Sequence, residues 1–311
     1  KPYALPFYGE SSITYYRADW VREAGLSMPV EPTLDDIESI ASALHSPAQQ
    51  RYGICLRGEP GWGSNMALIN TMANTHGARW YDMDWQPQIN SDAWEATVTR
   101  YARLMNRYGP PDPATLNFNR LLSHFQNGEC GIWVDATVAA SMVQQNGEVG
   151  FAAAPHAVTD RGKQWLWSWA LAVPYTSPNA GAAWDFVEWA TSADYHQLVA
   201  DNLGVRRIPP GTLVSLYNNP VYRRVAPFAD ITLNAIQQAD STSPTQDPVP
   251  YQGIQFVGIP EYAFIADQLG RKILGVVQGE ITVRKAIDDT QLVAEAYMAI
   301  QQRISRAQAI N

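Results

Sequence analysis

Apolar and polar positions follow two periods along this chain, and these periods predict strands and helices in turn. The stretch WLWSWALAVP places Trp165, Trp167 and Trp169 at every second position, which is the period of a strand. The short apolar runs CGIWVD and GFAAAP also fit buried strands. In SDAWEATVTRYARLMNRYG the apolar side chains recur every three or four residues. That spacing predicts a helix that begins after Ser91 and ends at Gly109.

Further helices are predicted on both sides of these strands. TLDDIESIASALHS opens with Thr33 and Asp36 at the spacing of a capping box. SNMALINTMANTHG and NAGAAWDFVEWATS are also helical in pattern, as is the chain after Pro260, with a break at Gln278 and the following glycine. Strands that alternate with helices are typical of an α/β fold. The polar, proline-rich stretch at 241–250 is the best candidate for a linker.

Charge and composition remove several classes of function. The formal net charge of −8 argues against nucleic acid as a partner. No run of about 18 apolar residues is present, so we expect no membrane-spanning helix. The 15 tyrosines and 11 tryptophans far outnumber the 8 phenylalanines. Amphipathic rings of this kind suit the wall of a pocket that is apolar and also able to form hydrogen bonds.

The two cysteines, Cys55 and Cys130, leave two interpretations open. A disulfide between them would close a long loop and contribute on the order of 4 kcal/mol to stability, whereas two free buried thiols are equally compatible with the sequence. No cluster of cysteine and histidine has the spacing of a metal site. GWGSNM has only two of the three glycines of a dinucleotide loop. We therefore expect neither a metal nor a cofactor.

Aromatic and hydrogen-bonding side chains gather where predicted strands end, which is where open α/β sheets bind ligands. Arginine and carboxylates form paired hydrogen bonds with neighbouring hydroxyls, and ring faces cover C–H groups. Both chemistries fit a polyhydroxylated ligand. The residues at these strand ends are Tyr8, Glu10, Arg57, Trp62, Asn65, Asp135 and Tyr251.

Several of these residues have alternative interpretations: Arg57 is equally placed to pair with Glu59 or Asp135, and Asn65 to be an N-terminal residue of the following helix. Asp135 is equally placed to cap a following helix, and Glu10 with Asp135 is a candidate pair of glycosidase carboxylates. Trp165 and Trp169 are assigned to the core of the fold rather than to ligand contact.

Several segments resemble one family. LPFYGESSITYYRADWVREAGLSMPVEPTLDDI is similar to the hinge and following segment of bacterial ABC-transporter solute-binding proteins of the maltose-binding, carbohydrate-specific type. NGECGIWVDATVAAS and WSWALAVPYTSPNAGAAWDFVEWAT resemble a later strand–helix unit and the second hinge strand. GICLRGEPGWGSNMALINTMANTHGARW and VPYQGIQFVGIPE are most similar to the subgroup that binds the sugar alcohols mannitol, sorbitol and arabitol.

The resemblance implies a type II periplasmic-binding-protein fold of class α/β, with two lobes joined by a hinge. Members of the family carry a long segment before the residue that matches Lys1, so we expect the first lobe to be incomplete here and the N-terminal segment to be a partner. The family plan divides the chain into a hinge segment (1–11), a first section of the C-terminal lobe (12–168), a hinge crossing (169–174), a partial N-terminal lobe (175–250), a second crossing (251–256) and the remaining section of the C-terminal lobe (257–311).

The resemblance also implies a function. The chain is expected to be the periplasmic component of an ABC importer, without a signal peptide in this sequence, which closes on a sugar alcohol and delivers it to the membrane permease without reacting with it. Glu10 matches a ligand-contacting carboxylate of maltose-binding relatives. Trp167 stands where many relatives have glycine, which would narrow the cleft for a linear polyol. The alternatives are a mono- or oligosaccharide ligand, and a glycoside-active enzyme that uses Glu10 and Asp135.

Overall fold

A four-stranded mixed sheet lies at the centre of the fold. The computed structural model describes residues 3–143 and 147–309, with side chains up to residue 300. The strands are β1 (Ala4–Glu10), β2 (Ser12–Arg17), β3 (Tyr52–Cys55), β4 (Cys130–Ala136), β5 (Val149–Ala153) and β6 (Trp167–Ala172). The central sheet has the order β3-β4-β2-β5, in which β3 and β4 run parallel and β2 is antiparallel to both neighbours. Every residue of β4 is buried, as expected for an apolar strand with both faces covered.

The helices pack on this sheet, on strands β1 and β6, or on one another. They are α1 (Ala18–Glu23), α2 (Leu34–Leu44), α3 (Asn65–Thr75), α4 (Asp92–Tyr108), α5 (Phe118–Gln126), α6 (Ala139–Met142), α7 (Ala180–Ala190), α8 (Ala193–Leu203), α9 (Val214–Tyr217), α10 (Pro220–Val225), α11 (Ala229–Gln238), α12 (Tyr262–Val277) and α13 (Val283–Ala309). α2 and α4 pack against β3, α5 against β4, and α11 against β2 and β5. α12 and α13 pack on each other and on α4, so the end of the chain covers the outer side of the fold.

The predicted helices form where the sequence pattern placed them. In α2 the Thr33 hydroxyl accepts the Asp36 N–H at 3.1 Å and the Asp36 carboxylate accepts the Thr33 N–H at 2.8 Å, so the capping box is confirmed. The apolar stripe of α4 is buried along its length. The predicted break near Gln278 is also present: α12 ends at Val277, and Gly279 adopts a φ of 76°, a left-handed conformation that glycine tolerates best.

A separate two-stranded ribbon joins β1 to β6. The pairing is antiparallel and sets Tyr8 opposite Trp169 and Glu10 opposite Trp167. Only Ser11 separates Glu10 from β2, so the chain passes directly from the ribbon into the central sheet. The ribbon therefore holds aromatic and acidic side chains close to the edge of that sheet.

Of the two interpretations of the cysteines, the structure shows the disulfide. Cys55 ends β3 and Cys130 begins β4, and their sulfurs are bonded with the Cα atoms 5.9 Å apart. Both residues are fully buried. The bridge joins the end of β3, two residues before Arg57, to the start of β4, the strand that contains Asp135.

The stretch at 241–250 is not a detached linker, which corrects the expectation from its composition. It contains neither helix nor strand, but Thr245 is buried and its hydroxyl donates to the Asn74 carbonyl of α3 at 2.8 Å. The Asn74 side chain in turn donates to the Ile254 carbonyl at 2.9 Å. Polar and proline residues here form a turn that packs on α3.

Among the described residues, no helix is both long and apolar enough to cross a bilayer.

Candidate functional site

A cavity of about 490 Å³ opens between the ribbon and the edge of the central sheet. The ribbon contributes both of its strands. The remaining walls come from the loop after β3, α3, the start of α5, the end of β4 with Val138, and the residues Trp165 and Gln255. Its lining residues are Tyr8, Glu10, Arg57, Trp62, Gly63, Ala67, Phe118, Ala136, Val138, Trp165, Trp167, Trp169 and Gln255. Five of the eight predicted ligand contacts are therefore brought together: Tyr8, Glu10, Arg57, Trp62 and Trp167.

Arg57 forms a two-pronged ion pair at the floor of the cavity. Its Nε donates to Asp135 Oδ2 at 2.9 Å and its Nη2 donates to Asp135 Oδ1 at 2.6 Å. The guanidinium also donates to the Gly63 carbonyl at 3.1 Å and lies over the rings of Phe118 and Trp165, 5.5 and 5.6 Å from their centroids. Such a pair fixes the orientation of the arginine more firmly than a single hydrogen bond does.

Asp135 lies behind Arg57 and does not line the cavity, which corrects its prediction as a ligand contact. Its side chain is 0% exposed. Besides the two arginine bonds, it accepts the Trp133 indole N–H at 3.1 Å and the Ala136 N–H at 2.7 Å. It is not a helix cap either, because β4 continues through Ala136 and α6 begins only at Ala139. With four donors on two oxygens, Asp135 orients Arg57 and has no lone pair left for general acid or base chemistry.

Glu10 is the second carboxylate of the site, and it does line the cavity. Only 9% of the residue is exposed. Burial, and after it the charge of Asp135, raise the pKa of Glu10 to about 7 against the lowering effect of Arg57 and of a hydrogen bond from Trp169. A carboxyl group in this position changes its charge near neutral pH.

Because its pKa is raised in the folded protein, Glu10 lowers the free energy of unfolding at high pH. An unfolded glutamate titrates near 4.5, so folding takes up a proton between pH 4.5 and 7. The stability from Glu10 is full below pH 4.5 and is lost as the pH rises through 7. We expect Glu10→Gln to be more stable than the parent protein by about 2–3 kcal/mol at pH 8 and nearly equal at pH 4, measured by urea unfolding without ligand. Glu23→Gln, at an exposed carboxylate, is the control; an equal gain at both pH values would contradict the assignment.

Aromatic rings beside Glu10 and Arg57 form a continuous wall of the cavity. Trp62 and Trp167 have their centroids 5.9 Å apart, Trp167 and Trp169 are 6.2 Å apart, and Tyr8 stacks on Trp169 at 6.0 Å. Trp169 is 51% exposed and lines the cavity, so its assignment to the core was wrong. Trp165 is 3% exposed, as a core residue should be, but it also borders the cavity and its buried indole N–H has no hydrogen-bond partner.

The loop that carries Trp62 is held in place by hydrogen bonds to α12, which lies far away in the sequence. The Trp62 N–H donates to Asp267 Oδ1 at 2.7 Å. Asn65 accepts the Gly61 N–H at 3.1 Å and donates to the Gly270 carbonyl at 3.1 Å. Asn65 is thus fully buried and outside the cavity lining, and its role is to fasten the loop to α12 rather than to contact ligand.

Tyr251 is also displaced from its predicted role. It is buried, and its hydroxyl accepts the Trp80 N–H at 3.0 Å. The residue that reaches the cavity from this segment is Gln255, whose amide group bonds both backbone groups of Leu166, at 2.8 and 3.2 Å. The remaining lining residues that the prediction lacked are a glycine and four apolar residues: Gly63, Ala67, Phe118, Ala136 and Val138. In the sequence, the four apolar residues have the spacing of core positions on strands and helices, so the pattern did not identify them as residues of a cavity.

The cavity offers no set of metal ligands. Among the side chains that the structure describes, within residues 3–143 and 147–300, no group of three or more histidine, cysteine, aspartate or glutamate residues is placed to hold a metal ion. The lining combines one arginine and one glutamate with rings and small apolar groups. This arrangement suits reversible capture of an uncharged molecule that carries both C–H faces and hydroxyls.

Comparisons with known proteins agree with this chemistry. The family of bacterial extracellular solute-binding proteins matches residues 1–197. The mannitol-binding protein of Pseudomonas aeruginosa is 47% identical over 295 residues, which span 93% of this chain and 67% of that protein. An ABC-transporter solute-binding protein from Agrobacterium vitis, solved with bound D-mannitol, has a TM-score of 0.93 and 44% identity over 96% of this chain and 73% of its own. A maltose-bound protein from T. maritima has a TM-score of 0.78 at 21% identity, over 94% of this chain and 72% of its own, and shows the shared fold.

Proposed function

This chain belongs to the bacterial extracellular solute-binding proteins, and we propose that its cavity binds a linear sugar alcohol of the mannitol class for delivery to an ABC-transporter permease. Its fold is the mixed α/β, type II fold of the maltose-binding relatives. The family membership makes it a binding protein and not an enzyme. The two relatives at 47% and 44% identity are a mannitol-binding protein and a protein with bound D-mannitol, which supports this choice of ligand.

The observation that carries the proposal is the pairing of one guanidinium and one carboxylate with an aromatic wall in a single cavity. Arg57 and Glu10 supply a donor and an acceptor for neighbouring hydroxyls, and the rings of Trp62, Trp167 and Trp169 cover the C–H side of a carbon chain. The unpartnered indole N–H of Trp165 adds one further donor beside the cavity. A linear polyol presents this mixture along its whole length.

Capture would depend on movement about the β1–β6 ribbon. The ribbon carries Tyr8, Glu10, Trp167 and Trp169, so a ligand held by these residues and by Arg57 bridges the ribbon and the central sheet. Contacts on both sides favour a closed arrangement over an open one. We propose that this ribbon is the crossing between the two lobes that the sequence predicts, and that the protein acts in the periplasm, as its family membership supports.

A thermal-shift panel tests the ligand class directly. At a hundred times its dissociation constant, a bound ligand stabilises a folded protein by about 2.7 kcal/mol. We expect D-mannitol and D-sorbitol to raise the melting temperature and to be recovered unchanged, and glucose and maltose to have little effect. A shift with glucose or maltose alone would overturn the polyol proposal in favour of a sugar. Release of a reaction product would overturn binding without chemistry.

The aromatic wall is tested by truncating Trp62. Trp62→Ala removes a ring that touches Trp167 and borders the cavity, and we expect the dissociation constant for D-mannitol to rise at least tenfold. Trp189→Ala is the matched control, because Trp189 is exposed to a similar extent but lies outside the cavity. Isothermal titration calorimetry gives both constants; equal losses in the two variants would count against a role for the wall.

A further inference from the structure

We propose that Glu10 makes ligand capture proton-linked: the cavity binds a neutral polyol with Glu10 ionised, releases a proton on binding below neutral pH, and rejects anionic analogues. This inference rests on the proposed function for the ligand class, and it adds a regulation and a selectivity that polyol binding alone does not require.

The charges of the cavity do not balance. Both oxygens of Asp135 bind Arg57, so these two charges compensate each other. The third arginine bond goes to the Gly63 carbonyl. Arg57 is the only cationic side chain among the lining residues described, so the second carboxylate, Glu10, has no counterion of its own. The ionised site therefore carries one net negative charge in largely aromatic surroundings.

The other groups that face Glu10 do not supply this counterion. Along β1, Tyr8 is raised in pKa to about 12 by burial and by the charge of Glu10, so it remains a neutral phenol. Across the ribbon, Trp169 offers an uncharged indole N–H. From the central sheet and the loop after β3 come Asp135 and Arg57, which are already paired. The central sheet also contributes Tyr15, a buried phenol whose pKa is raised by burial and by the charges of Asp135 and Glu10, so that it stays neutral. A proton is then the simplest compensation for Glu10 in the empty cavity, in keeping with its pKa of about 7.

A bound polyol favours the ionised form of Glu10 over the protonated form. Hydroxyl donors bind an ionised carboxylate more strongly than a protonated one, so the ligand lowers the pKa of Glu10 in the complex. The ligand must then displace the proton whenever the pH lies below about 7. Affinity is full above that pH and falls by up to tenfold for each pH unit below it. An acid analogue places its own carboxylate beside Glu10, and like charges in a buried site repel.

Isothermal titration of D-mannitol at pH 8.5 and pH 5.5 tests the linkage. We expect the dissociation constant to rise about 30-fold at the lower pH, because only a few per cent of Glu10 is then ionised without ligand. At pH 6.0, titrations in two buffers of different ionisation enthalpy should show the release of nearly one proton. Glu10→Gln should bind more weakly at pH 8.5 and lose both the pH dependence and the proton release. Glu23→Gln should retain both.

D-Mannonate, which carries a carboxylate at one end of the same carbon chain, tests the selectivity. We expect it to bind the parent protein at least 100-fold more weakly than D-mannitol at pH 8.5, and Glu10→Gln to narrow that ratio at least tenfold. Mannitol binding that does not change with pH, or a pH dependence that survives in Glu10→Gln, would overturn this inference and leave the proposed function intact. No binding of any polyol at pH 8.5 would overturn both.

Discussion

Replacing Arg57 with methionine is expected to lower the free energy of unfolding by about 3–5 kcal/mol, since breaking a buried pair leaves its partner charge uncompensated. Asp135 is completely buried and receives two of its four hydrogen bonds from Arg57. Methionine fills similar space but donates no hydrogen bond. Urea unfolding monitored by tryptophan fluorescence at pH 7 measures the loss, and D-mannitol binding should disappear in the same variant.

A second variant separates the lost charge pair from lost packing. Arg57→Met combined with Asp135→Asn removes both charges, and the asparagine oxygen still accepts the Ala136 N–H. We expect the double variant to recover at least half of the lost stability while remaining unable to bind ligand. If the single variant loses less than 1 kcal/mol, water reaches Asp135 and the pair is not the buried support described above.

Loss of the disulfide is expected to cost roughly 4 kcal/mol in Cys55→Ala combined with Cys130→Ala, because the bridge closes a loop of 75 residues and restricts the unfolded chain. The bridge also fastens β3 two residues before Arg57, so we expect weaker ligand binding as well. Urea unfolding of the double variant against the oxidised parent protein measures the cost.

Reduction of the parent protein under unfolding conditions is the matched control for this variant. The reduced chain should unfold at the same urea concentration as the double alanine variant, apart from the small packing loss of two buried sulfurs. Equal stability of oxidised and reduced chains would show that the bridge does not restrict the unfolded state.

Periodicity predicted the helices well because it records what each element buries. α4 is the clearest case: its spacing of Trp94, Val98, Tyr101 and Met105 is the buried stripe of the structure. The family resemblance predicted the fold class, which the comparisons confirm. Periodicity predicted the strand in WLWSWALAVP but misplaced Trp169, because an amphipathic ring on a strand face has the same spacing whether that face meets a core or a cavity. The lobe boundaries stay a prediction.

The sequence predicted the candidate site from the positions of residues at strand ends and not from the groups that these residues contact. Tyr8, Glu10, Arg57, Trp62 and Trp167 reach the cavity from strand ends, as their places in the sequence indicated. Three other residues lie at equally suitable positions but form hydrogen bonds outside the cavity: Asn65, Asp135 and Tyr251. The choice depends on residues far away in sequence, such as Gly270 for Asn65. No local pattern records such a contact.

The anchoring of the Trp62 loop has a consequence for how the protein is made. Its acceptor Asp267 follows 205 residues later in the chain, which at ribosomal speed corresponds to a delay of about 10–40 s. Until α12 has emerged, the loop that carries Trp62 lacks its hydrogen bond to Asp267. We therefore expect a nascent or still-translocating chain not to retain solute. The Trp62 wall of the cavity is expected to take its final position only after α12 has folded.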